Sequence, residues 1–196
     1  MRASAASDPR YRRALRLAAV LNLIMMAVEG GVGLAIGSAA LVADAVDFLE
    51  DGSVYLLGAA AVGWSARQRA EVGLLMGAAM AGVGLTALGQ VVWRLLVGGA
   101  PPPEPMAATA AAALAVNVFC AWRLSPFKRG DASMRSIWLS TRNDAILNTA
   151  TIAAAALVAL TATAWPDIAA GLLIAGLNLA AAIDVLRQGW RERRLA

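Results

Sequence analysis

The chain has 196 residues, of which 60% are hydrophobic and only 15% charged, with a net charge of +4; a soluble domain of this size carries about a quarter charged residues. Its basic side chains cluster in short stretches between apolar runs, with no basic patch interleaved by aromatics, which excludes a nucleic-acid partner. A single cysteine, Cys120, and no histidine exclude an internal disulfide, a cysteine-built metal site and the commonest metal ligand and proton carrier.

Apolar segments fall at 14–36, 39–63, 72–97, 106–124, 139–163 and 167–187, each near the ~20 residues that cross a bilayer as a helix. The expected fold is therefore an all-α membrane protein, one domain of six transmembrane helices over 1–196. The first segment is too long for a signal peptide, and no small-residue cleavage site closes a short apolar core, so it reads as a retained span. It carries Asn22 and Glu29 on one face. Glu29 reads as a cation-path group, a proton carrier or an acceptor between helices. Gly30, Gly33 and Gly37, with Gly73 and Gly77 in the third segment, allow close helix approach or a homodimer through the membrane helices.

The second segment contains "ADAVDFLEDG", with Asp44, Asp47, Glu50 and Asp51 inside an apolar run. At 3.6 residues per turn Asp44, Asp47 and Asp51 share a face, and Glu50 points away from it. Each ionised carboxylate in a bilayer costs at least ~2.5–3.5 kcal/mol on the insertion scale, so such a face needs a cation, protons or a water-filled cavity. The proline run at 101–103 reads as a stiff turn before the fourth segment. In the fifth, "SIWLSTRNDAILN" places Ser140, Asp144 and Asn148 at four-residue spacing, and all three offer oxygen to a cation. Ser140 also reads as a small packing residue, Asn148 as an interhelical hydrogen-bonding group, and Arg142 as an alternative partner for Asp144. After the sixth segment, "RQGWRERRLA" reads as a basic amphipathic anchor at the inner lipid surface.

Orientation follows from the basic residues. Arg2, Arg10, Arg12, Arg13 and Arg16 precede or open the first segment, Arg67 and Arg69 lie in the second connection, and Arg123, Lys128, Arg129 and Arg135 in the fourth. Arg187, Arg191, Arg193 and Arg194 close the chain, whereas the stretches at 36–38 and 164–167 have no Lys or Arg. Every second connection is basic, which puts both termini in the cytoplasm. The two halves also echo each other faintly, "ADAVDFLEDGS" against "TRNDAILNTAT", as in an inverted repeat.

The stretches "NLIMMAVEGGVGLAIGSAALVADAVDFLEDG" and "STRNDAILNTATIAAAALVALTATAWPDIAAGLLIAGLNLAAAID" resemble the cation diffusion facilitator family of divalent-metal/proton antiporters. The resemblance covers about four of the six helices and implies the same six-helix arrangement with both ends inside. In that family a His or Asp followed four positions later by Asp in helix two binds metal with a matching pair in helix five. The resemblance places the first pair on Asp47 and Asp51, and the second on Ser140 and Asp144, with serine where the family usually has His or Asp. It implies Asp47, Asp51 and Asp144 as ligands, completed by Ser140, Asn148 or water, with Asp44, Glu29 and Asn22 as accessory groups. No counterpart of the family's cytoplasmic C-terminal domain follows the sixth segment. A distance mismatch accompanies this assignment: at 1.5 Å per residue, Asp144 lies ~30 Å below Trp165 but Asp51 only ~20 Å below Ser38.

The expected function is export of a divalent cation (Zn²⁺, Co²⁺ or Mn²⁺) in exchange for protons across the bacterial inner membrane. The metal is cargo, no cofactor is expected, and the alternative is a non-transporting metal sensor or accessory subunit. No His, paired Cys or nucleophile–base pair supports an enzyme.

Overall fold

The computed structural model describes residues 8–60, 64–128 and 132–195, without the side chains at 66, 69, 132–136, 140 and 195. Six long helices follow in order: α1 Pro9–Ile36, α2 Ala39–Ala60, α3 Ala66–Val97, α4 Pro103–Leu124, α5 Ala132–Thr161 and α6 Trp165–Leu195, with a 3₁₀ turn at Ser125–Phe127. Five of them, all but α2, are long and apolar enough to cross a membrane. α2 has 22 residues, about 33 Å at 1.5 Å each, which matches a hydrocarbon core of ~30 Å. What sets it apart is its four carboxylates.

Five helices start earlier than hydropathy predicts, and at two of them, α1 and α3, side-chain capping rather than apolarity sets the start. Asp8 accepts a hydrogen bond from the Arg10 N–H at 2.8 Å, ahead of Pro9 at the first helical position, a residue whose missing N–H costs nothing there. Ser65 and Gln68 form a reciprocal capping box, so most of "WSARQRAE" is helix rather than loop. α4 begins at Pro103 behind the proline run, and α5 begins at Ala132 within the stretch read as a connection. The predicted end of the second segment, 61–63, lies outside the described residues.

α6 continues unbroken to Leu195, so the basic tail is the last part of that helix rather than a separate segment. The physical reason is contact with α3: Gly77 faces Leu186 and Gly189 faces Leu74, where an added Cβ would approach to 3.0 and 2.9 Å. These glycines let the two longest helices pack side by side well past the bilayer's apolar thickness. Gly33 faces Val42 in the same way. The small residues at 33 and 77 are therefore used within the chain, while Gly73 faces open space.

α1 packs chiefly on α2, α3 on α6 and α4 on α5, and α2 touches all five other helices. The α1–α2 hairpin sets its levels side by side: Gly33 with Val42, Gly30 with Ala45, Gly52 with Leu23, Gly58 with Leu15. This central position buries nearly all of α2's first half, including Asp44.

At one end of the bundle two charged residues hold the α1–α2 turn. Asp167, in the first turn of α6, accepts hydrogen bonds from the Ser38 hydroxyl (2.6 Å) and from the backbone N–H groups of Ala39 (2.8 Å) and Ala40 (3.1 Å). From α3, Arg94 donates to the carbonyls of Gly37 (2.9 Å) and Ile36 (2.7 Å). An anion at the start of α2 and a cation at the end of α1 both complement the helix dipoles. Gly37 is required twice, as the left-handed cap at φ 72° and because a Cβ there would meet Arg94 Nη2 at 2.1 Å.

Asp167→Ala strips two buried N–H groups of their acceptor, and leaving such groups unpaired costs about 1–3 kcal/mol. A clear drop in thermal stability in detergent is the expected result, with the exposed Asp184→Ala nearly silent. Equal melting of both variants would remove Asp167 from the forces that hold this turn.

Candidate functional site

α2 presents its acids to different neighbours at successive turns. Glu29 of α1 stands against Asp44, and Asp44 in turn against Asp47. Asn178 of α6 approaches the Asp47 carboxyl while its Nδ2 donates to the Ala43 carbonyl at 2.9 Å. One turn further along, Asp51 meets Asp144 of α5. Glu29 and Asp44 are fully buried, Asp51 is 5% exposed and Asp47 half-buried.

Among the described residues, no donor reaches either oxygen of Glu29 or of Asp44, one oxygen of Asp47, or one of Asp144. Burying unpaired charge costs several kcal/mol per ion, so this row of carboxyls needs protons or a cation to exist inside the bundle. Acids in facing pairs from α1, α2 and α5 are a means of holding one or the other. Among the described residues, no group of three or more His, Cys, Asp or Glu is assembled as a metal cage. The acids form a ladder of pairs instead.

Below Asp51 the ladder ends in two residues that sequence reasoning passed over. Tyr55 donates its hydroxyl hydrogen bond to Asp51 Oδ2 and also contacts the Thr141 hydroxyl of α5. Thr141 donates to the Ile137 carbonyl at 2.9 Å. Both side chains are fully buried. They rest on a cluster of Tyr11, Leu15, Ala59, Cys120, Leu124 and Ile137 that closes this end of the bundle. The signal was available, since Tyr55 lies four residues after Asp51 and Thr141 three before Asp144, each on the same helical face. Asn178 was likewise legible as a lone amide in an apolar helix.

The other predicted residues divide. Asn148 is buried and donates to the Asp144 carbonyl at 3.0 Å, which leaves its Oδ1 without a donor among the described residues. It is thus turned back on its own helix rather than bonded across helices. Asn22 is level with Asp51 but donates to the Ala18 carbonyl and the Cys120 thiol, at 2.8 and 3.7 Å. Arg142 does not pair with Asp144; it is exposed, over the Trp138 ring and bonded to Asn143. Glu50 is nearer than its spacing suggested, half-buried and within electrostatic reach of Asp47 and Asp144. It lies only about 60° round the helix from Asp47 at 100° per residue. The side chain of Ser140 lies outside the described residues.

The distance mismatch between the two helices is absorbed at the outer end. Asp167 fixes the first turn of α6 level with the start of α2, while α5 runs on to Thr161 before the connection. From Asp144 to Thr161 is ~25 Å of helix, and from Asp51 to Ala39 ~18 Å. α5 therefore projects farther outward than α2 or leans across it.

A family model described as the cation efflux transmembrane domain matches residues 15–192. That span takes in every residue of the ladder, the Tyr55–Thr141 pair and both charged groups at the α1–α2 turn. No curated protein matches the chain.

Proposed function

This chain belongs to the cation efflux family, whose members are cation transporters rather than enzymes, and from that premise we propose that it exports a divalent metal in exchange for protons. Asp47, Asp51 and Asp144 are the charged ligands in this reading, with Ser140, Asn148 or water completing the shell. The observation that carries it is the buried contact between Asp51 of α2 and Asp144 of α5, because two carboxyls from separate helices can hold a cation or protons but are poor neighbours when bare.

An oxygen-only set suits Mn²⁺ by hardness and still binds Zn²⁺ or Co²⁺ through the general affinity order. Protons and metal compete for the same oxygens, which is the coupling. α2 is the sixth span, its acids accepted because it is enclosed by the other five helices, and the basic end of the bundle with both termini faces the cytoplasm. Rocking of the helices about this depth exposes the site to either side in turn.

Inverted membrane vesicles test the exchange. Metal uptake is expected to follow an interior-acid gradient and to stop when a protonophore dissipates it. Concentrative uptake that ignores the gradient would refute antiport, and binding without any flux would identify a sensor instead.

Tyr55→Phe provides a second test, because it removes only the hydroxyl that donates to Asp51. Losing a group that orients a ligand lowers metal affinity by about 10–100-fold. Titration in detergent is expected to register such a drop. Unchanged affinity would make the Tyr55–Asp51 bond a matter of helix packing alone.

A further inference from the structure

At the basic end of the bundle, a cavity of about 430 Å³ is bounded by Arg10 and Arg13 of α1, Arg123 at the end of α4, and Phe127. Asp8 also borders it, but its carboxylate is engaged with the Arg10 backbone N–H. The ion pairs of the described residues, Arg67–Glu71 and Arg187–Asp184, involve none of the three arginines. Arg123 lies 5.9 Å over the Trp122 ring, and Phe127 packs on Tyr11 with ring centroids 5.1 Å apart. Three arginines from two helices thus line one concave site beside aromatic rings, the residue types found where a bilayer's headgroups begin.

The surface above the cavity is apolar and exposed. Arg13, Leu17, Val20, Ile24 and Ala27 recur at four- and three-residue steps, and so share one face of α1. Leu17, Val20 and Ile24 are 40%, 55% and 54% exposed. A shallow furrow of about 500 Å³ follows this face, bounded by Val20, Leu23, Ile24, Ala27 and Val28. On α4, Phe119 lies one turn above Arg123 and is 39% exposed, with Trp122 at 64%.

We propose that this cavity and furrow form a binding site for one anionic phospholipid, its phosphate held by Arg10, Arg13 and Arg123 and an acyl chain laid along α1. A phosphodiester accepts the planar forks of several guanidiniums at once. The furrow beginning two helical turns from Arg13 on the same face supplies what a free phosphate would not need. A general topology signal requires basic residues at this end but neither their convergence on a cavity nor an exposed apolar strip farther along the same helix face.

Native mass spectrometry of the purified full chain in a neutral detergent tests the site, with phosphatidylglycerol and phosphatidylcholine offered together. Phosphatidylglycerol adducts are expected to predominate and to fall about tenfold or more in Arg10→Gln/Arg13→Gln/Arg123→Gln, given the energy of each basic residue near anionic lipid. The control Arg191→Gln/Arg193→Gln/Arg194→Gln removes the same charge from the same end and is expected to retain them. Equal loss in both triple variants would overturn the site in favour of diffuse attraction. Displacement of the lipid by inorganic phosphate or glycerol 3-phosphate at comparable concentration would overturn it in favour of a free-anion site. Should the triple variant fail to insert, Arg123→Gln leaves the N-terminal charges in place and is expected to lower the adducts several-fold; undiminished adducts there would count against the proposal.

Discussion

Inverted vesicles carrying Asp51→Asn or Asp144→Asn are expected to take up divalent metal more than roughly a hundredfold more slowly than the unaltered protein. Groups that merely orient a ligand already cost about 10–100-fold in affinity or activity when removed, and these two carboxyls face each other between α2 and α5. Each substitution keeps the side chain's shape and an acceptor oxygen while deleting the charge, so insertion and folding should persist. Asp47→Asn belongs with them, one turn away and half-buried. Glu50→Gln is the informative comparison. Its charge reaches Asp47 and Asp144, so a loss of a few-fold is expected, but not abolition. If Glu50→Gln abolished uptake while Asp47→Asn transported normally, the ligand face of α2 would have to be rotated toward Glu50.

The second large effect concerns selectivity. Ser140→His would place an imidazole one helical turn before Asp144 on the same face of α5, where a neutral hydroxyl is a poor ligand. Nitrogen donors favour zinc over manganese. About 1.4 kcal/mol of added ligation corresponds to tenfold, so zinc affinity should rise relative to manganese by roughly that factor or more. Affinity rather than turnover is the quantity to titrate, since tighter binding can slow release. If the zinc-to-manganese ratio stayed constant while Asp144→Asn destroyed binding, position 140 would lie outside the coordination shell, and Asn148 or water would complete it.

How much of this was legible in the chain depends on which physical signal was local. Hydropathy alone marked all six helices, since twenty apolar residues leave few alternatives. It misplaced their ends, because Asp8, the Ser65–Gln68 box and the α3–α6 glycines act through capping and packing rather than apolarity. Spacing alone put Asp44, Asp47 and Asp51 on one face, and Ser140, Asp144 and Asn148 on another, because a helix's period is fixed by its backbone. The cation efflux family, too, was readable from those two stretches before any fold was known.

Partnership was not readable, because it is decided by how helices lie against one another. Only the packing of α2 at the centre of the bundle pairs Glu29 with Asp44 and Asp51 with Asp144. It also brings Tyr55 and Thr141 together beneath them, turns Arg142 outward, and brings Asn178 across from α6. The sequence by itself determined that carboxylates would be carried into an apolar bundle, since that follows from composition and period. Which of them face each other, and which neighbour lacks a donor, was decided by tertiary structure, because a carboxyl's partner in a dry interior is whatever the adjacent helix presents at the same depth.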